Sequence, residues 1–258
     1  MTGYWLFAKR RRAVVVENLL PALNGDRSAA KSAARRLFQQ FAVKLVDLWR
    51  YESGQPVDDL FAELTGWEHF TAAHARGKGV LMITPHLGNW EFGGPLLTRR
   101  GIKLHVITLV EPGEGLTEMR QESRARWGIE TLVIGQDAFA FVEVIKRLQE
   151  GATVALLVDR PPEASATEVE LFGRPFKASI AAAELARASG AALVPVYLPR
   201  TAQGYAAHVL PEIPYDRATL GNREARRELT QKILRAFEPA IRQHLDQWFH
   251  FVPVWPKP

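Results

Sequence analysis

Apolar residues in the early part of the chain recur at helical spacing. From Ser28 to Arg50, Leu37, Phe41, Leu45 and Leu48 fall on one face and Arg35, Arg36 and Lys44 off it, which predicts an amphipathic helix. Trp67 to Arg76 reads as a shorter helix closed by Gly77-Lys78-Gly79. The pattern then changes. Apolar runs at Gly79–Thr84, Lys103–Val110, Glu130–Ile134, Thr153–Val158 and Ala192–Leu198 alternate with helical patterns at Trp90–Arg99, Leu116–Trp127, Ala138–Gln149 and Ser179–Ala188. Tyr205–Leu210 is placed as an edge strand, and Asn222–Leu245 as a long amphipathic helix. This rhythm predicts an α/β fold, a mostly parallel sheet flanked by helices, with a helical N-terminal portion. No repeat, low-complexity segment or Pro/Gly/Ser-rich linker divides the sequence. The expectation is one domain over 1–258, with 1–77 helical and 78–258 the α/β core.

Composition narrows the chemistry. The 258 residues are 47% hydrophobic and 24% charged, enough for a sizeable core. Thirty-three Lys and Arg against 28 Asp and Glu leave a net charge of +5, which favours a phospholipid surface, a phosphorylated substrate or an acidic carrier protein. The absence of cysteine excludes disulfides, thiolate catalysis and Cys-based metal sites. No apolar segment reaches the roughly 20 residues that a membrane span needs, and no signal peptide is evident. Tyr4-Trp5-Leu6-Phe7 followed by Lys9-Arg10-Arg11-Arg12 suits a membrane interface, or equally a helix end with a solvated basic face. The basic residues are dispersed without interleaved aromatics, so no nucleic-acid partner is expected. Lys78 lacks the glycines of a P-loop. His69, His74, His105, His208, His244 and His250 show no metal-ligand spacing and read as structural or surface residues; neither metal nor cofactor is expected.

One segment carries candidate chemistry. His86-Leu87-Gly88-Asn89-Trp90-Glu91 follows the buried run Val80–Thr84 and Pro85, and precedes a helix. A histidine on that turn, with a carboxylate five positions on, can form a base and its orienting partner; a capped helix start with a structural histidine fits the same spacing. Gly88 and Asn89 suit the tight turn. His86 and Asp159 each end a strand-like run, and Arg160 follows directly. Ligands of open parallel sheets bind at such carboxyl ends.

These residues resemble the lipid A biosynthesis acyltransferases of the lauroyl/myristoyl type, within the glycerolipid acyltransferase superfamily. Pro85-His86-Leu87-Gly88-Asn89-Trp90-Glu91 is similar to the family's signature of a His, four residues and an acid. Arg124-Ala125-Arg126 with Gly128, the strand ending in Asp159, and Leu171-Phe172-Gly173-Arg174-Pro175 followed by Ala183–Ala191 and Val194-Pro195-Val196 resemble later family blocks. So do Asp246-Gln247-Trp248-Phe249-His250 and Glu17-Asn18-Leu19 with Pro21. The chain departs at Arg160, where Gln is common, at the tail Phe251–Trp255, and in lacking the anchoring helix with which many members begin.

The resemblance implies O-acyl transfer from an acyl thioester to a hydroxyl of a glycolipid such as a lipid A precursor, in lipopolysaccharide biosynthesis. His86 would be the general base and Glu91 would orient it. Asn89, Arg124, Arg126, Asp159, Arg160 and Arg174 would bind substrate, the arginines holding phosphate. Oxyanion donors would be the N–H groups of Gly88-Asn89, or Arg124 or Arg126. The donor would be acyl carrier protein, or acyl-CoA, and the site peripheral, on the cytoplasmic face of the inner membrane. Three alternatives stand beside it. They are another acceptor (a phosphatidylinositol mannoside, a lysophospholipid or another glycolipid), a non-catalytic peripheral membrane-binding protein, and metal-dependent hydrolysis on His86, Glu91 and Asp159.

Overall fold

The fold is a computed structural model that describes residues 8–110, 113, 115–135 and 138–256. The aromatic cluster Tyr4–Phe7 lies outside the described residues. Among the described residues two α-helices come first, α1 (Lys9–Leu19) and α2 (Arg27–Glu52). Asp26 starts α2, its carboxylate accepting the N–H groups of Ser28 and Ala29 at 2.9 Å. Then follow β1 (Phe61–Thr65), α3 (Trp67–His74), β2 (Val80–Thr84), α4 (Gly93–Thr98), β3 (Leu104–Leu109), α5 (Leu116–Arg126), β4 (Glu130–Ile134), α6 (Ala138–Gln149) and β5 (Thr153–Leu157). The hairpin β6 (Ala166–Leu171) and β7 (Arg174–Ser179) precedes α7 (Ala181–Ser189), β8 (Ala192–Tyr197), β9 (Tyr205–Val209) and α8 (Arg223–Gln243).

Seven strands form a mostly parallel sheet in the order β1-β9-β8-β2-β5-β3-β4. β2 sits between β8 and β5, and all five of its residues are buried, as a two-sided central strand requires. Its alternate residues face opposite layers. Leu81 and Ile83 join a core with α6, α7 and α8. Val80 and Met82 join another with α3, Leu97 of α4 and Ile129.

Three expectations change. Residues 61–65 are not helical: β1 pairs in parallel with β9 and forms the sheet edge, so β9 is an interior strand. Residues 166–179 form an antiparallel hairpin in a sheet of its own, where the apolar pattern places no strand. The helix expected at Trp90–Arg99 is instead a 3-10 turn, Trp90–Phe92, followed by the short α4.

Candidate active site

Strand register builds the site. Thr84 of β2 stands opposite Leu157 of β5, so the residues two positions beyond each strand, His86 and Asp159, emerge side by side. His86 Nδ1 lies 2.6 Å from Asp159 Oδ1, and the His86 main-chain N–H donates to both carboxylate oxygens at 3.0 Å. The tail closes over them. Phe249 N–H donates to the His86 carbonyl at 2.9 Å, and Leu87 forms an antiparallel bridge with Trp248. Residues 248 and 250 thereby face inward, and the Trp248 Nε1–H and His250 Nε2 each reach Asp159 Oδ2 at 2.9 Å. One buried carboxylate thus receives four donors from two distant parts of the chain, which satisfies its desolvated charge.

This arrangement fixes the imidazole. An N–H at Nδ1 bound to Asp159 leaves Nε2 as the free, basic nitrogen. Burial, the largest influence, pushes His86 down to about 4 and outweighs the attraction of Asp159. His86 is therefore neutral at physiological pH. Burial alone would raise Asp159, but His86 and His250 prevail and hold it well below the usual carboxylate range.

Glu91 does not orient His86. Its carboxylate is buried against Arg124, which donates through Nε at 3.0 Å and Nη2 at 2.6 Å. The 3-10 turn carries Glu91 to Arg124 of α5. Burial works against its charge, but Arg124 together with Arg120 and Lys44 keeps its pKa low. The turn itself needs Gly88: its φ is +63°, and a Cβ there would lie 1.8 Å from the Leu198 carbonyl oxygen.

The other expected residues divide. Arg160 is exposed and lines a cavity of about 300 Å³ together with His86, Glu91, Arg120 and Arg124. Arg126 points elsewhere, donating to the Glu52 carbonyl. Arg174 stands exposed at the hairpin tip and is absent from the cavity wall. Asn89 is fully buried outside that wall. The main-chain donors are also engaged: Gly88 N–H with the Gln247 carbonyl at 3.0 Å and Asn89 N–H with that of Leu198 at 2.9 Å. Neither is free for an oxyanion.

Most of the remaining cavity wall is apolar, including Met82, Leu97, Leu104, Val106, Ile129, Val196 and Val209, with Thr84, Thr108 and His208 as its polar members. Trp90 packs edge-on against His86 with ring centres 5.0 Å apart. Lys44 of α2 lies over the Trp90 ring, 3.0 Å from its centre. Its ammonium is buried without a hydrogen-bond partner among the described residues, and burial lowers its pKa well below the ordinary lysine value. Sequence reasoning left Lys44 on the polar side of α2. It also missed His250 and Trp248, although their two-residue spacing in an extended tail marks a shared face.

His86, Asp159 and His250 are the one group of three metal-ligand side chains found together among the described residues. Their contacts of 2.6 and 2.9 Å are hydrogen bonds; two ligands on one tetrahedral zinc stand about 3.3 Å apart. Glu91 is not part of this group.

Residues 2–257 match the bacterial lipid A biosynthesis acyltransferase family. The chain belongs to that family. Among its relatives, the phosphatidylinositol mannoside acyltransferase of Mycobacterium tuberculosis (strain ATCC 25618 / H37Rv) is 30% identical over 192 residues, 74% of this chain and 58% of the relative. The phosphatidylinositol mannoside acyltransferase of Mycolicibacterium smegmatis is 27% identical over 231 residues, 89% of this chain and 71% of the relative. The chain thus spans just under three fifths of the first relative's length.

Proposed function

We propose that this protein transfers an acyl chain from a thioester to a glycolipid hydroxyl, and that the acceptor is of the phosphatidylinositol mannoside class. One observation carries the reading: a neutral histidine, held through Nδ1 by Asp159, lines a cavity that is cationic beside it and apolar beyond. His86 Nε2 takes the acceptor proton as the oxygen attacks the thioester carbonyl. The C–S bond breaks, and the departing sulfur receives that proton from His86. Arg160, which forms no ion pair among the described residues, is placed to meet developing charge on the carbonyl oxygen. The Glu91–Arg124 pair holds the wall in shape. The relatives support the acceptor class. Family membership supports a second reading, a lipid A precursor. The net charge of +5 favours an acidic carrier protein as donor.

The test offers labelled acyl carrier protein and acyl-CoA thioesters to wild type and His86→Ala, with phosphatidylinositol mannosides and lipid A precursors as acceptors. Labelled phosphatidylinositol mannoside made by wild type alone is the expected product. A labelled lipid A precursor selects the second reading. Equal labelling by His86→Ala overturns the role of His86, and no labelling with any acceptor overturns the enzyme reading.

A further inference from the structure

Two segments from opposite ends of the chain meet behind the site. Asn18, in the last turn of α1, is 2% exposed and lies against the tail that follows Trp248. Its amide nitrogen donates to the main-chain carbonyls of His250 at 3.0 Å and Val252 at 2.8 Å, and its side-chain oxygen accepts the Val254 N–H at 3.2 Å. Both donors of the amide and its oxygen are thereby engaged, all by the tail. The Asn18 main-chain carbonyl, which the end of the helix leaves without an intrahelical partner, accepts the Trp255 Nε1–H at 3.1 Å.

Apolar packing also holds the tail: Phe251 meets Phe38 and Phe41 with ring centres 5.3 and 4.7 Å apart. Such packing is non-directional. The hydrogen bonds settle something finer. At any residue the backbone turns only about the two bonds between rigid peptide planes, so fixing both planes fixes the direction in which the side chain leaves. At His250 the plane before it is held by its own N–H on the Trp248 carbonyl at 3.1 Å, and the plane after it by Asn18. The side chain so directed is the imidazole whose Nε2 reaches Asp159 Oδ2 at 2.9 Å, while Asp159 Oδ1 holds His86.

We propose that Asn18 is a positioning residue for the reaction: by fixing the peptide group after His250 it aims that imidazole at Asp159, and so keeps the carboxylate set against His86. The assignment rests on the acyl-transfer reading above. Asn18 is absent from the cavity wall and acts through His250.

The experiment measures steady-state kinetics of wild type, Asn18→Ala, His250→Ala and the double variant, with thermal melts as the fold control. Asn18→Ser is the substitute if Asn18→Ala does not fold, and failure of both to fold overturns the assignment in favour of a purely structural clamp. We expect Asn18→Ala to lower kcat by about 10–100-fold with KM little changed, as a small misplacement of the base would. In the His250→Ala background the same substitution should cost no more than about twofold further, because its route to Asp159 is already cut. Trp255→Phe removes one hydrogen bond between the tail and Asn18 without touching position 250; it should lower the melting temperature and leave kcat within about twofold. Wild-type kcat in a folded Asn18 variant, or a full additional loss in the His250→Ala background, overturns the assignment. A second readout needs no turnover. The ring N–H signal of His250, observed with ¹⁵N-labelled histidine and assigned by its loss in His250→Ala, should exchange slowly with water in wild type and rapidly in Asn18→Ala. That change in a protein that transfers nothing supports the role of Asn18 in placing His250 and sinks acyl transfer. Equal exchange in the two proteins, or no such signal in wild type, overturns the role of Asn18 itself.

Discussion

His86 and Asp159 act as one unit because the carboxylate contacts both the ring and the main chain of the histidine. Asp159→Asn removes the charge that selects the Nδ1–H tautomer. We expect kcat to fall by about 10²–10⁴-fold with KM little changed, read by steady-state kinetics with circular dichroism as the fold control. Wild-type kcat in a folded Asp159→Asn would refute the pairing. The pH profile tests the same geometry. With His86 lowered to about 4, kcat/KM stays level from pH 8 to 5 and falls below that. A midpoint near 6.5 would mean a solvated ring. Stability follows with the same sign: between pH 6.5 and 4 the unfolded chain protonates this histidine and the folded one does not, so stability declines as pH drops through that window. The imidazole and its turn were legible at this scale, since His86, Gly88 and Glu91 sit within one short motif. The sequence put Asp159 at a strand end like that of His86, but their pairing was not legible, because Asp159 lies 73 residues away and only strand register brings it to the ring.

At the scale of elements, the buried Glu91–Arg124 pair ties the 3-10 turn after β2 to α5. Removing one partner of a buried pair leaves the other's charge poorly compensated. Glu91→Gln is therefore expected to cost about 3–5 kcal/mol, measured as a shift in the urea midpoint at constant slope. A wild-type midpoint with reduced kcat would return Glu91 to a direct role in the chemistry. The long amphipathic helices and the buried central strands were readable from period alone. β1 was not: Phe-Ala-Glu-Leu-Thr is short and half exposed, and its pairing with β9 is a contact across the whole chain. The β6–β7 hairpin was readable in principle. Thr167, Val169 and Leu171 alternate with Glu168 and Glu170 in a period of two, and burial follows that alternation.

For the whole molecule, the exposed large apolar residues other than Val142 of α6 belong to elements that also line the cavity, or stand close in sequence to its wall. Val46 and Trp49 stand on α2, which contributes Phe41 to the wall. Leu109 and Val110 follow Thr108, Met119 precedes Arg120, and Val252 follows Phe251, each of those neighbours a wall residue. No helix among the described residues is long and apolar enough to cross a membrane. We expect this rim to rest on a bilayer from which a lipid acceptor is drawn. The double substitution Val46→Glu with Trp49→Glu should weaken co-sedimentation with vesicles of mixed anionic and zwitterionic phospholipid by about tenfold or more, about 1.4 kcal/mol, with an unchanged melt. Unaltered binding would place the membrane contact elsewhere.

By itself the sequence determined the periodicities that make α2, the alternation of strand and helix, the glycine turn that presents His86, and the family signature around it. Those are properties of neighbours along the chain, where spacing converts directly into a shared face. Tertiary structure decided which carboxylate meets the histidine, which arginines reach the cavity and which donors are already engaged. It also decided that a tail 89 to 91 residues downstream of Asp159 supplies Trp248 and His250 to the same carboxylate. These outcomes depend on strand order and on the filling of space between elements. A local pattern does not encode either, because each is settled only when separate parts of the chain compete for one buried position.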